Sequence, residues 1–239
     1  MMSSMKQIYI FQTGSTFPEI IEKHGDFADM FSTHADDCIV IDVEQGEELP
    51  AFEKCAGVMV TGSHDMVTER LEWSEKLAKW LREAVQLRIP VLGVCYGHQL
   101  LAHALGGEVG FHKDGTEIGT ATINMLPDKS IDPLFEMIPD NFPAHVVHAQ
   151  TVLKLPDGAV ILAQNGHDPH HAFRYGDCAW GVQFHPEFTA EIIKSYISRD
   201  VEKYTKMGLD VDKVLESVEE TPVSCSIIRR FIDFVEGLD

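Results

Sequence analysis

Two short stretches of the 239-residue chain hold the side chains that thiol chemistry needs. Val91-Leu92-Gly93-Val94-Cys95-Tyr96-Gly97-His98-Gln99 reads as a buried strand that runs through a Gly-x-Cys-x-Gly turn into a helix. Such a turn forces its central residue into a strained backbone conformation, and only small neighbours leave room for it. Cys95 then stands clear of the sheet beside a helix N-terminus, whose partial positive charge favours a thiolate. Further on, Gly181-Val182-Gln183-Phe184-His185-Pro186-Glu187 ends an apolar strand with a histidine and a carboxylate two residues apart. These are the base and the orienting group that a cysteine nucleophile requires. Pro186 biases His185 towards extended backbone and so helps present its ring beyond the strand end. The chemistry expected of Cys95, His185 and Glu187 together is acyl transfer through a thioester.

A third segment, Thr61-Gly62-Ser63-His64, follows another apolar strand. In an open α/β sheet ligands bind beyond the carboxyl ends of the strands, where both this segment and Cys95 fall. The N–H groups of Gly62 and Tyr96 are the candidate oxyanion hole. One such donor is typically worth about 10²–10³ in rate.

The elements that must position these residues are legible as an alternation of strands and helices. Strands are expected at Gln7–Phe11, Cys38–Val43, Gly57–Gly62 and Ile89–Val94, and helices over Glu19–His34, around Leu77–Val85 and over His98–Leu105. Leu77, Trp80, Leu81, Ala84 and Val85 form one buried face at helical spacing. This βαβ rhythm predicts an α/β fold: an open, mostly parallel sheet of flavodoxin-like type with helices on both faces. After Gly107 the pattern changes to short strands at Thr120–Leu126, Ala144–His148, Thr151–Leu155, Ala159–Gln164, Ala172–Tyr175 and Ala179–Phe184. Turn residues separate them, and they are expected as antiparallel additions to the sheet edge. From Thr189 onward the chain reads as helical, with Pro222 opening the last helix. One domain over residues 1–239 is expected, its catalytic core at about 6–190 and a helical extension over 189–239.

Nineteen Lys and Arg against 38 Asp and Glu give a net charge of −19, and that field repels a phosphate backbone. Neither a nucleic-acid partner nor a membrane is expected. The five cysteines are scattered with no CxxC pair, so no disulfide framework or zinc ribbon is suggested. Together with an amino terminus too short in apolar residues for a signal peptide, this predicts a reducing, cytoplasmic setting.

Both chemical stretches resemble the signatures of the class I (triad) glutamine amidotransferases, over roughly Ile8 to Phe188. The similarity is greatest to stand-alone proteins like the glutaminase domain of GMP synthetase. It implies Cys95 as nucleophile, His185 as general acid/base, Glu187 as its orienter, and Gly62 with Tyr96 as oxyanion donors. It further implies that Gln99 and the backbone around His64 and His148-Ala149-Gln150 hold the α-amino and α-carboxylate groups of glutamine. No cofactor and no metal is implied. The implied activity is cleavage of the γ-amide of glutamine, with ammonia released or passed to a separate synthetase or acceptor subunit. No phosphate loop is present, and Val147-His148-Ala149-Gln150 departs from the family's small-polar–His–Gly–Asp form. A γ-glutamyl peptidase is the alternative within this chemistry, and a non-catalytic regulatory module on the same fold is the alternative outside it. A DJ-1/PfpI-like elbow fits less well, since that group usually has a histidine where this chain has Tyr96.

Taken one by one, the other candidates read as structural. His98 is expected to pack within its helix. His167, Asp168, His170 and His171 are expected to form a solvated loop rather than a metal site, because they show no ordered ligand spacing. Cys38, Cys55, Cys178 and Cys225 are expected to be inert thiols near the core.

Overall fold

Along strand β1 (Gln7–Gln12) successive side chains enter opposite cores: Ile10 one, Tyr9 and Phe11 the other. The same partition holds in β3 (Cys55–Val60), where Met59 opposes Val58 and Val60, and in β4 (Val91–Val94), where Leu92 and Val94 oppose Val91. A strand apolar on both faces has to be covered on both. The computed structural model, which describes residues 6–35 and 37–238, shows how. Helices α3 (Glu72–Gln86) and α4 (Tyr96–Ala104) cover one face with Leu77, Leu81, Leu100 and Leu101. Helix α2 (Phe27–Ser32) and the last helix, α8 (Pro222–Glu236), cover the other with Phe31, Ile227, Ile228 and Phe231. The chain's final helix thus belongs to the main core.

The nine-stranded sheet runs β2 (Ile39–Asp42), β1, β3, β4, β11 (Ala179–Val182), β10 (Ala172–Tyr175), β9 (Ala159–Gln164), β6 (Glu117–Met125), β7 (Asn141–His148). The first five strands are parallel, and the last four join antiparallel to their neighbours. The α/β expectation with antiparallel edge additions therefore holds, with three corrections. β11 is a parallel interior strand beside β4, in the register Gly181↔Gly93 and Val182↔Val94. β8 (Gln150–Lys154) leaves the sheet and pairs with β5 (Glu108–Phe111), a strand not expected from the sequence. The helix expected over residues 19–34 is two: α1 (Pro18–His24) ends at Gly25, at φ 79°, and Asp26 caps α2 by accepting the Phe27 N–H at 2.8 Å. Glycine at positive φ stops one helix, and the aspartate starts the next.

Beyond β11 come α5 (Ala190–Arg199), α6 (Val201–Lys206) and α7 (Val211–Glu216). Ile192, Ile193, Tyr196, Ile197 and Tyr204 pack with Phe27, Met30 and Phe188 in a third cluster. That cluster lies at the carboxyl end of the parallel strands, where the site falls.

Candidate active site

Cys95 is the hinge between β4 and α4, with φ 51° and ψ −101°. A non-glycine residue there stores about 1–3 kcal/mol of strain, which the surroundings must hold in place. They do so from both sides. The Cys95 N–H donates to the Val182 carbonyl at 2.9 Å, and the Cys95 carbonyl accepts the Gln99 N–H at 3.1 Å. A Cβ on Gly93 would sit 2.3 Å from the Gly97 carbonyl oxygen, and one on Gly97 would sit 2.5 Å from that of Val60. Both clashes are with backbone, which cannot swing aside. Gly97→Ala is accordingly expected to lower stability by about 1–3 kcal/mol in chemical denaturation and to displace the elbow. Unchanged stability with unchanged Cys95 alkylation would contradict this account of the turn.

The parallel pairing of β4 with β11 explains why His185 meets Cys95. Both strands end at the same edge, so residues one and three past their ends emerge together. A Cβ on Gly62 would lie 3.2 Å from His185 Cε1 and 3.8 Å from Cys95 Cβ, so all three segments converge on one point. His185 Nδ1 donates to Glu187 Oε1 at 2.7 Å, and both side chains are buried. The His185 ring stacks on Phe188 at 4.1 Å and 15°, which fixes its plane. Burial opposes a charge on His185, but the Glu187 carboxylate and then Cys95 outweigh it and hold the imidazole up at about 10. Neighbouring rings go the other way. Burial, then Arg199 and His185, push His64 down to about 4, and burial and His185 push His145 down to about 4. One imidazolium is therefore favoured among three histidines, at the ring that faces the thiol. A cysteine sulfur, an imidazolium that can hold its proton and a buried carboxylate in this order are equipped for acyl transfer.

The Gly62 carbonyl accepts from the Thr13 and Thr61 hydroxyls, each at 3.0 Å, and the Thr61 carbonyl accepts the Gly97 N–H at 3.2 Å. Freely flipping the peptides around Gly62 would surrender these bonds, so the loop is held rather than loose. The Gly62 and Tyr96 segments flank the cysteine.

Two connected hollows open at Cys95. One, of about 150 Å³, is lined by His64, Tyr96, Gln99, His148, Ala149 and Gln150. The other, of about 80 Å³, is walled by aromatic rings: Phe17, Phe27, His64, Phe188 and Tyr196. The structure thus brings every residue expected at the site to it. Their bonding differs from expectation, however. Gln99 is buried and its Nε2 donates to the Gln150 carbonyl at 2.7 Å and to Gln183 Oε1 at 2.9 Å. The Ala149 carbonyl accepts the His112 N–H at 2.9 Å. Lys203 and Tyr204 of α6 line both hollows, and the sequence reading missed them, along with Phe188 and Tyr196. The amphipathic pattern of α5 was readable as a buried face, but nothing in it says what that face covers.

His98 is fully buried against Phe173, at 5.0 Å between rings, as expected of a packing residue. The solvated-loop expectation is overturned for two of its four members. Asp168 and His171 are both at 0% exposure, because Thr151 donates to Asp168 and His171 Nε2 reaches Glu117 across the sheet. Sequence-local polarity hid a fold-level burial.

A strand–Cys–helix elbow at positive φ, backed by a buried histidine–carboxylate pair at the carboxyl edge of a mostly parallel sheet, defines a cysteine-centred α/β protein of the amidotransferase type. The sequence profile of the family described as Glutamine amidotransferase class-I matches residues 33–203, and the chain belongs to that family. Gamma-glutamyl peptidase 5 of Arabidopsis thaliana is 28% identical over 211 residues, 84% of this chain and 83% of that protein. The glutamine-hydrolysing GMP synthase of Thermosipho melanesiensis is 29% identical over 90% of this chain, which spans only 40% of that enzyme's length. The glutamine-hydrolysing GMP synthase of Aeropyrum pernix is 33% identical over 73% of this chain, which spans 33% of that enzyme's length. A glutamine amidotransferase from Thermotoga maritima superposes with a TM-score of 0.77 at 25% identity, covering 97% of this chain and 99% of that one. Among the described residues, no helix is long and apolar enough to cross a membrane.

Proposed function

We propose that this chain hydrolyses γ-glutamyl amides through a thioester on Cys95. The observation that carries the reading is the strained Cys95 set against the buried His185–Glu187 pair. With the Cys95 proton already held on His185 Nε2, the sulfur attacks the γ-carbonyl. The oxyanion so formed is met by the N–H groups of Gly62 and Tyr96. The C–N bond breaks as His185 returns its proton to the leaving nitrogen. Water, deprotonated by the same ring, then cleaves the thioester, releasing glutamate and restoring the thiol. The wider hollow, with Gln99 and His148-Ala149-Gln150, takes the glutamyl group. With glutamine the leaving group is ammonia, released or handed to a separate acceptor enzyme.

A second reading, that of a γ-glutamyl peptidase, is favoured by the aromatic hollow on the other side of Cys95. Ammonia needs no such room, whereas the amine half of a γ-glutamyl peptide does. The Arabidopsis peptidase, similar over 84% of this chain and 83% of its own length, agrees with it. Steady-state assays of the purified protein with glutamine and with a γ-glutamyl dipeptide separate the two. Efficient dipeptide cleavage without a partner marks the peptidase. Slow glutamine hydrolysis whose kcat rises when a synthetase partner is added marks the coupled glutaminase. No turnover of either, with Cys95 unlabelled by a γ-glutamyl-mimicking electrophile, would refute the hydrolase reading.

Lys203 is the cation that lines both hollows, and we assign it to a substrate carboxylate. Lys203→Glu is expected to raise KM about tenfold or more with little change in kcat, since a hydrogen bond to a charged group is worth about 1.5–3 kcal/mol. An unchanged KM would remove Lys203 from the binding site.

A further inference from the structure

Behind the wall whose His148 backbone faces the hollow lies a side-chain cluster that takes no part in the proposed bond-breaking steps. Glu117 on β6, His148 at the end of β7 and His171 just before β10 present three ligand atoms, all within 4.8 Å of one another. Glu117 Oε2 is 3.0 Å from His148 Nε2 and 3.1 Å from His171 Nε2. Metal–ligand bonds of about 2.0–2.1 Å in a tetrahedron place neighbouring ligand atoms about 3.3 Å apart, so little movement is needed to centre an ion. We propose that Glu117, His148 and His171 bind a divalent ion of the zinc type, with the fourth position left to water.

The orientation of His148 carries this furthest. Its Nδ1 is 3.0 Å from the Gln150 carbonyl, which can only accept, so Nδ1 bears the hydrogen. In the neutral ring Nε2 is then a lone pair, and it points at a carboxylate oxygen, another acceptor. A cation seated between Nε2 and Oε2 turns that repulsion into two bonds. A ring whose Nδ1–H is tied to a backbone carbonyl while Nε2 faces a carboxylate has the outer support common in metal-binding histidines. Glu117 is supported likewise: its other oxygen accepts from Asn165 Nδ2 at 2.6 Å. His171 Nδ1 is buried without a hydrogen-bond partner, and Nε2 is the ring nitrogen that faces the carboxylate. A second buried carboxylate, Asp168, lies close enough to act on both rings. Among the described residues no lysine or arginine pairs with Glu117, whose ion-pair partners are the two histidines. A divalent ion offsets the charges of half-buried Glu117 and buried Asp168, which otherwise have neutral donors and imidazoles about them. Its structural effect would be to clamp β6, β7 and the loop before β10, fixing the His148–Gln150 wall of the hollow at Cys95.

This inference does not depend on the hydrolase reading. The test uses the full chain carrying Cys95→Ala, so that the elbow thiol is no alternative ligand, purified without a metal column. The expected result is one Zn²⁺ per chain by elemental analysis, or uptake of one Zn²⁺ with sub-micromolar affinity after chelation, with a rise in Tm. Glu117→Gln and His171→Ala are each expected to weaken Zn²⁺ binding at least about 100-fold, while His170→Ala, at a half-buried neighbour whose Nδ1 meets the Val152 carbonyl, leaves it unchanged. Should either variant fail to fold, Co²⁺ added to the parent chain reads the same site: visible d–d bands of four-coordinate cobalt support it. Featureless Co²⁺ spectra, or Zn²⁺ affinity that is micromolar or weaker or that both variants retain, overturn the proposal and leave His148 as a hydrogen-bond partner of Glu117.

Discussion

Cys95→Ala is expected to lower turnover of γ-glutamyl substrates by at least about 10⁴-fold, and adding His185→Ala is expected to change almost nothing further. The reason is that neither residue has a step of its own. The sulfur is the nucleophile only while His185 holds its proton, and that proton serves the leaving nitrogen only once the sulfur has attacked. Glutamate release followed over hours, with single and double variants side by side, checks the non-additivity. Near-wild-type rates for His185→Ala would sink the assignment. The same position gives a stability signature. Alanine at 95 keeps a Cβ at φ 51°, whereas glycine does not. Cys95→Gly is therefore expected to be more stable than Cys95→Ala by about 1–2 kcal/mol, despite being equally inactive.

Glu187→Gln is expected to cost roughly 10²–10⁴ in kcat and to move the alkaline limb of the pH–rate profile to lower pH. The imidazolium of His185 is held up at about 10 against a strong burial penalty, and Glu187 is the main group opposing that penalty. A histidine raised above its unfolded value keeps its proton through neutral pH and loses it as pH rises through about 10. Its contribution to stability is fully present below about 6.5, the unfolded value, and fades over the same interval. In the wild type kcat/KM should stay flat on the alkaline side until pH approaches 10. With the neutral amide the burial penalty is no longer opposed, and the proton is lost earlier. An alkaline limb that does not move in Glu187→Gln would show that the carboxylate only positions the ring.

Both expectations rest on residues that the sequence identifies without help. Gly93, Cys95 and Gly97 carry their geometry locally, since a positive-φ elbow between a strand and a helix admits few residue types on either side of it. His185 and Glu187 are two residues apart, so their bond needs only the tight turn at Pro186-Glu187, where the Phe188 N–H reaches the His185 carbonyl at 3.4 Å. The continuous apolar runs of β1, β3 and β4, with helical spacing in α3, fix a sheet covered on both faces, because apolar side chains leave such strands on both sides. What the sequence left open depends on pairing between distant segments. Thr151–Leu155 and Ala179–Phe184 carry the same apolar strand signal, yet β8 pairs outside the main sheet and β11 enters it parallel to β4. Strand propensity reports that a segment is extended, not which edge it will meet. The same limit hid Lys203 and Tyr204, which reach the hollows only because α5 packs its apolar face over Phe188 and so carries α6 across Cys95. It also hid the burial of Asp168 and His171 in a loop that reads as solvated, and their meeting with Glu117 and His148 from two other strands. Chemistry held within a few residues of chain was decided by local backbone geometry. Chemistry assembled from three or four segments was decided by sheet order and by which faces came to be buried.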